Sequence, residues 1–408
     1  MYEGLGYATL QAKIKFILGP SYLEPYAKAV INDIKACTHI LRDDFVVPLQ
    51  FVAMKNGIVD VSKNPVKLID FSDKFYFTKK SPTIFNPKAE CPVFLKFLNE
   101  ILPDKKSRIQ IQEMFGWCLR RKYVPQGAFL LVGGGGNGKS TLLAALRFLL
   151  GNKNVKSITL HDICGDRFAA ADLYQMFANV AGETNTAKLE KSETFKTLTD
   201  GLNYIRVQRK FGHPFEFPNY AKLIFAMNEV PPTKDRTNAF YRRWVIILFV
   251  VKIGDGGLPK DENMIDKLTT PEELSGILNW AIEGLQRLNK QKDFTERMTD
   301  EEAEKCYERL SNSVGTFLTE HIEETDDNED CITKSYLWKD LLYYCEKNKL
   351  PKPSSKKHLA QQIKLHFDNV QSIQRKVGKK QQVWVWSNCR YSDDIAKIDY
   401  ANWVEDSG

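Results

Sequence analysis

The residues best equipped to do chemistry lie between Gly133 and Thr141: Gly133, Gly134, Gly135, Gly136, Asn137, Gly138, Lys139, Ser140 and Thr141. A glycine, four residues, then Gly-Lys-Ser is the spelling of a phosphate loop. A loop that wraps a polyphosphate turns its backbone N–H groups inward, and side chains there would block the approach. Lys139 would reach the β- and γ-phosphates, and the Ser140 hydroxyl would ligate Mg²⁺. A glycine run can instead serve only a tight turn. The flanks decide against that reading. Ala128–Val132 is a continuous apolar run of buried-strand type, and Leu142, Leu143, Leu146, Leu149 and Leu150 fall at helical spacing behind the loop. The partial positive charge at the start of such a helix favours an anion. A bound nucleoside triphosphate with Mg²⁺ is expected.

Further chemistry sits at predicted strand ends. Met176–Ala181 reads as a strand, and Glu183 follows it, where an ATPase needs an acid to polarise water or hold the Mg²⁺ shell; Gly182 stands where many such enzymes carry a second acid. Asn228 ends the predicted strand Lys222–Met227 and could hydrogen-bond a γ-phosphate or the attacking water; alone it is an ordinary turn residue before Pro231-Pro232. Arg242 and Arg243 precede the apolar strand that begins at Trp244. Such arginines serve a solvated face or a carboxylate partner, or in an oligomeric ATPase reach a neighbour's γ-phosphate. The segment Tyr204–Phe217 gathers Arg206, Arg209, Lys210 and His213 around Gly212. A basic, aromatic hairpin suits backbone and base contacts to nucleic acid, or is a surface turn of chance basicity.

The elements that position these residues alternate between strand and helix over 125–255, as in an α/β P-loop ATPase core. Its remaining predicted elements are a strand at Ser157–Leu160 and a helix at about Lys188–Thr199. Residues 1–124 read as a mainly helical accessory or oligomerisation domain, with Leu10, Ile14, Ile17 and Leu18 at helical spacing and a strand-like stretch turning at Asn56-Gly57. A helical extension over 256–319 carries Leu274, Ile277, Leu278, Ala281 and Ile282 on one face. The final segment, 320–408, opens with an acidic run, Glu320–Asp330, read as a solvated loop or linker. Helices Ser335–Asn348 and Ser355–Phe367 follow, then strands Val370–Val377 and Gln382–Trp386 around Gly378-Lys379-Lys380. That is the outline of a winged helix, with Lys356, Lys357, Lys379 and Lys380 as its DNA-contacting candidates.

Composition narrows the class. At 43% hydrophobic and 27% charged the chain is of ordinary globular type, and its net charge of +7 is modest, so nucleic-acid binding must rest on local clusters. The eight cysteines are scattered without a Cys-x-x-Cys pair, which argues against a zinc site or disulfide framework and suits a reducing compartment. No signal-peptide pattern is visible at Met1, and the longest apolar run, Trp244–Val251, is too short to span a bilayer. A soluble, cytoplasmic protein without a membrane partner is expected.

In this order and spacing the motifs resemble superfamily 3 helicases of the poxvirus and phage primase–helicase type. The resemblance runs from about Asn56 to Leu288 and includes Asn56-Gly57-Ile58-Val59-Asp60, the approach from Gly116 to Lys139, Glu183, Lys196-x-Leu198-Thr199, the hairpin, Lys222–Asn228 and Arg242-Arg243. One departure is Asp200-Gly201-Leu202, where the family tends to have a Gly-Gly-Asp-like turn. The resemblance implies an AAA+ ATPase that assembles into a ring, a hexamer, with ATP between subunits and hairpins lining a channel. It implies 3′ to 5′ movement on single-stranded DNA and unwinding of duplex. By the same resemblance Lys139 and Ser140 bind phosphate and Mg²⁺, and Glu183 is the catalytic acid. Asn228 senses the γ-phosphate, Arg209, Lys210 and His213 contact DNA, and Arg242 or Arg243 is the arginine finger. Family members often carry a primase–polymerase domain upstream; none is visible in this sequence.

Overall fold

The computed structural model describes residues 7–38, 47–182, 187–254, 256–348, 350, 353, 355–377 and 381–392. Helices α1 (Tyr7–Leu18) and α2 (Glu24–Cys37) pair through Ile14, Ala27 and Ile31. An antiparallel sheet follows: β1 (Phe51–Met54), β2 (Gly57–Asp60) and β3 (Lys67–Ile69), with Met54 opposite Gly57 so that Asn56-Gly57 forms the turn. Then come α3 (Pro92–Ile101) and α4 (Lys105–Leu119), the latter capped by the Asp104 carboxylate, which accepts from the Ser107 N–H at 2.8 Å.

The central unit comprises β4 (Ala128–Val132), α5 (Lys139–Leu150), β5 (Val155–Lys156), α6 (Leu160–Gly165), β6 (Ala178–Ala181) and α7 (Glu193–Leu198). The hairpin β7 (Tyr204–Gln208) and β8 (Pro214–Pro218) precedes β9 (Lys222–Met227), α8 (Asn238–Tyr241) and β10 (Trp244–Leu248). Strands β10, β4, β9, β6 and β5 lie side by side in that order, all parallel. All their C-terminal ends therefore share one edge, the edge at which open α/β sheets bind ligands. Every residue of β4 and β9 is buried, which explains the unbroken apolar run of β4 and that of β9 behind Lys222. Two elements differ from expectation. The strand expected at Ser157–Leu160 is shorter and earlier, because the Thr159 hydroxyl caps α6 at the Asp162 N–H, 3.1 Å away. The helix expected from Lys188 starts only at Glu193, because the Leu189 N–H donates to the Pro232 carbonyl at 2.7 Å and stays extended.

Helices α9 (Met264–Leu268), α10 (Pro271–Gln291) and α11 (Asp300–Ser311) complete the layers. Helix α10 lies against α4, and Gly116 permits it: a Cβ there would stand 2.2 Å from the Ala281 carbonyl oxygen. Fully buried Glu113 accepts from Arg287 at 2.7 Å and from the Thr295 N–H at 2.9 Å, fastening the pair. One apolar core runs from Val52 through Phe115, Phe129 and Leu146 to Leu285 and Phe294. The divisions expected near 124 and 255 therefore do not interrupt the core. The physical reason is that one face of the sheet is covered by α4, α5 and α10, while Leu160, Phe195, Phe240 and Tyr307 cover the other.

The last unit contains α12 (Ser313–His321), β11 (Ile322–Glu324), β12 (Cys331–Thr333), α13 (Lys334–Lys347), α14 (Lys356–His366), β13 (Gln371–Val377), β14 (Gln381–Ser387) and β15 (Cys389–Tyr391). It has its own core, which includes Phe317, Leu318, Leu341, Ile363 and Trp386. The acidic run is not simply a linker. Glu320 ends α12 and Glu323 and Glu324 lie in β11, paired with β15, because buried Ile322 anchors the stretch. Arginines meet its charges: Arg309 with Glu320 at 2.8 Å, and Arg375 with Glu329 and Arg390 with Glu323 at 3.3 Å.

Candidate functional site

The glycine loop leaves β4 at the ligand edge of the sheet. Its glycines divide by role. A Cβ on Gly138 would stand 2.8 Å from Ile101, and its φ of +81° is the left-handed conformation that lets α5 start directly behind the loop. Gly134 and Gly135 have nothing within 4 Å of a Cβ position, so their bareness faces open space. Backbone bonds pin the loop between its neighbours: the Gly133 N–H donates to Met227 at 3.3 Å and the Ile253 N–H to Gly136 at 2.6 Å.

Lys139 is only 6% exposed, and its ammonium reaches back over the loop. It donates to the Gly133 carbonyl at 2.6 Å, the Gly134 carbonyl at 3.2 Å, Asn137 Oδ1 at 3.0 Å and Asn228 Oδ1 at 3.3 Å. An anionic oxygen entering here would compete well with these carbonyl and amide acceptors for the ammonium. Asn228 arrives from the end of β9, the strand beside β4, which is how residues far apart in sequence meet. Ser140 and Thr141 open α5 on the same side.

Together these residues line a cleft of about 330 Å³. The loop, Gly182 and Asn228 line it together with apolar Phe97, Ile101, Ile253, Leu258 and Met264, and Glu100, Lys260 and Asp261 add charge among the lining residues. A polyphosphate on the loop with an apolar base beside it fits this lining. Sequence reasoning missed the apolar residues. Phe97 and Ile101 carry only the helical periodicity of α3, and nothing in that pattern tells a cleft wall from core. Glu183 lies outside the described residues, although Gly182 before it borders the cleft. Among the described residues no group of three or more His, Cys, Asp and Glu side chains could hold a metal alone.

Arg242 and Arg243 sit at the start of β10, the sheet edge opposite the cleft, and the structure separates them. Arg242 is exposed. Arg243 is buried, with Nε donating to Thr199 Oγ1 at 2.9 Å and the guanidinium also bonded to the Ala239 carbonyl; burial pushes its pKa down. The two candidates thus differ: Arg242 is open to solvent, whereas Arg243 is bonded within its own fold. Lys196 is likewise committed, at 2.6 Å from Asp235.

The hairpin projects Arg206, Arg209, Lys210 and His213 into solvent while Ile205, Val207 and Phe217 anchor its inner face. Sequence reasoning did not single out Phe211, which is 97% exposed at the tip with φ of +63°. A bulky residue in that conformation is uncommon; here the Gly212 N–H closes the turn onto the Arg209 carbonyl at 2.9 Å. An aromatic between cations at a turn was the available signal. In the last unit Lys356 and Lys357 are exposed at the start of α14, whereas Lys379 and Lys380 lie outside the described residues. No helix among the described residues is long and apolar enough to cross a membrane.

Residues 12–103 match the family described as D5 N terminal like, and residues 131–243 match a family of unknown function, DUF5906. A protein of Acanthamoeba polyphaga mimivirus named "Putative helicase L207/L206" is 21% identical over 273 residues, or 62% of this chain. The matched part spans 28% of that relative's length. Among solved structures, the apo A form of the NrS-1 C-terminal region aligns over 88% of this chain and 90% of its own, at 14% identity and a TM-score of 0.44. A second apo structure of that region, residues 305–718, aligns over 76% of this chain and 79% of its own, at 14% identity and a TM-score of 0.40.

Proposed function

We propose that this chain is an ATP-dependent replicative DNA helicase of a virus or plasmid, built on a P-loop ATPase of the AAA+ superfamily 3 type. The observation that carries the reading is Lys139. Its buried ammonium lies over the glycine loop at the start of a helix, donating to the Gly133 carbonyl, Asn137 and Asn228, in a cleft that also presents Phe97 and Ile101. The mimivirus relative, by its name, and the D5-type match support the same direction.

In this reading the backbone N–H groups of Gly133 to Gly138 and the Lys139 ammonium bind the phosphates of ATP. The Ser140 hydroxyl and Glu183 hold Mg²⁺, which would neutralise charge on the phosphate oxygens. Glu183 orients and deprotonates the attacking water, Asn228 positions it, and Phe97 and Ile101 exclude solvent from the base. Arg242 acts on a neighbouring subunit's nucleotide in a ring, a hexamer. Arg209, Lys210, Phe211 and His213 track single-stranded DNA, and the last unit works as a winged helix on duplex through Lys356, Lys357, Lys379 and Lys380.

The test is strand displacement on forked DNA together with steady-state ATP turnover. Unwinding that needs ATP and is lost in Glu183→Gln supports the reading. DNA-stimulated turnover without strand displacement would replace it with an origin-melting or loading ATPase; absence of turnover would leave a nucleotide-gated DNA-binding protein.

A further inference from the structure

A second cavity, about 660 Å³, opens at the other end of α5, where the segment before Thr83 folds over Gly151 and Asn154. Helix rise puts it about 18 Å from the phosphate loop. Its walls are unlike those of the nucleotide cleft. Phe71, Phe75 and Phe77 supply the apolar surface, and Lys79, Lys80 and Lys153 the charge, with Asp73 the opposing acid among the lining residues.

The rings are held in place. Phe75 packs edge-on against Phe51 with centroids 5.0 Å apart, and the Arg121 guanidinium lies over Phe77 at 5.1 Å. Phe71, 41% exposed, is left to meet a ligand. The rim is also built. Lys79 Nζ donates to the Lys153 carbonyl at 3.4 Å, Asn154 Nδ2 to the Lys80 carbonyl at 2.8 Å, and Thr83 Oγ1 to Leu149 at 3.1 Å. Burial, and then the neighbouring Lys156, lower the pKa of Lys79, so an anion beside it would be stabilising. Because α5 ends here, its dipole does not attract anions, and the lysines alone must do so.

We infer that this cavity binds single-stranded nucleic acid, with bases against Phe71, Phe75 and Phe77 and the phosphate backbone on Lys79, Lys80 and Lys153. Flat aromatic faces with flanking cations are the chemistry that holds unpaired bases without reading their sequence. A strand is favoured over a single nucleotide because the cavity is twice the size of the nucleotide cleft. The inference does not depend on the chain being a helicase, since it uses neither the glycine loop nor the hairpin.

The test uses the full chain without nucleotide or Mg²⁺ and a short oligothymidylate carrying iodouracil. Ultraviolet cross-links should map to Phe71, Phe75 or Phe77. Phe71→Ala should weaken oligothymidylate binding about five-fold or more, with Phe71→Tyr restoring it. An abasic oligomer of equal length should bind Phe71→Ala as it binds the wild type. Lys79→Gln with Lys153→Gln should flatten the salt dependence by about 1.4 units of slope, two phosphate contacts on a single strand. Unchanged melting of each variant keeps these losses local. Adducts confined to Tyr204–Pro218, or unaltered affinity and slope in both variants, would overturn the proposal. Competition by thymidine monophosphate at equal molarity would overturn the strand as occupant in favour of a free nucleotide.

Discussion

Among the described residues two lysines, Lys139 and Lys222, are buried at opposite edges of one sheet, and they do different work. Lys139 begins α5 at the ligand edge; Lys222 begins β9 at the other. Both ammoniums donate to backbone carbonyls. For Lys222 these are Arg120 at 2.6 Å and Tyr220 at 2.5 Å, with the rings of Trp117 and Tyr123 each 5.4 Å away. Lys222 has no opening to solvent, and burial pushes its pKa down to about 7. Lys139 faces a cleft. A lysine whose partners are all part of the fold contributes to stability. One whose partners border an open cleft can exchange them for a ligand.

The comparison breaks first if Lys139 proves structural. Lys139→Ala should cut ATP turnover by roughly two orders of magnitude or more with little change in melting temperature. A large fall in melting temperature with turnover retained would make the two lysines alike.

Lys222→Met should do the reverse. It leaves two buried carbonyls without a donor, which costs about 1–3 kcal/mol each, partly offset by the buried charge removed. A net loss of about 2 kcal/mol is expected in denaturant titration. Nucleotide affinity, measured where the variant is folded, should stay the same.

The proton linkage sharpens the contrast. Below about pH 7 both folded and unfolded chains carry the Lys222 proton. Above that, up to the ordinary lysine value, the unfolded chain alone keeps it, so this group makes stability rise with pH. Above about pH 8.5 unfolded thiols ionise, and Cys91 and Cys118, pushed up to about 12 by burial, act in the opposite sense. The quantity to measure is the difference in stability between wild type and Lys222→Met from pH 6 to 9. It should grow with pH above 7; a flat difference would mean that Lys222 stays charged throughout.

The adjacent arginines at the Lys222 edge differ from one another, and Arg242 gives the smallest effect on stability. Arg243→Ala should lose about 1.5–3 kcal/mol, the range for hydrogen bonds to a charged group, while Arg242→Ala should change stability by less than about 0.5 kcal/mol. Of the two arginines, Arg242→Ala alone should lower turnover without lowering the melting temperature. Partial ATPase on mixing it with Lys139→Ala would require a nucleotide shared between subunits.

Much of this was legible in the chain itself. The glycine spacing from Gly133 to Ser140, the all-apolar β4, the apolar run of β9 behind Lys222 and the Asn56-Gly57 turn are local patterns, in which the residue types carry their own conformational instruction. The start of α7 was misread because Leu189 bonds to a segment over forty residues later, and no window around Leu189 contains that partner. Within Glu320–Asp330 the solvated loop holds for Thr325–Asp330, whereas Ile322–Glu324 departs from it because one buried residue, Ile322, is enough to seat that part against β15.

The sequence by itself determined that a glycine-rich loop joins a buried strand to a helix, since backbone freedom, strand burial and helix start are all written within a few residues. Tertiary structure alone decided which charged residues face a ligand. It set Asn228 beside Lys139, gave the cleft an apolar wall from α3, and turned Lys222 and Arg243 inward while leaving Arg242 outside. The physical reason is that a charge's role depends on what surrounds it in three dimensions. The order of strands in a sheet, which no local pattern encodes, sets those surroundings.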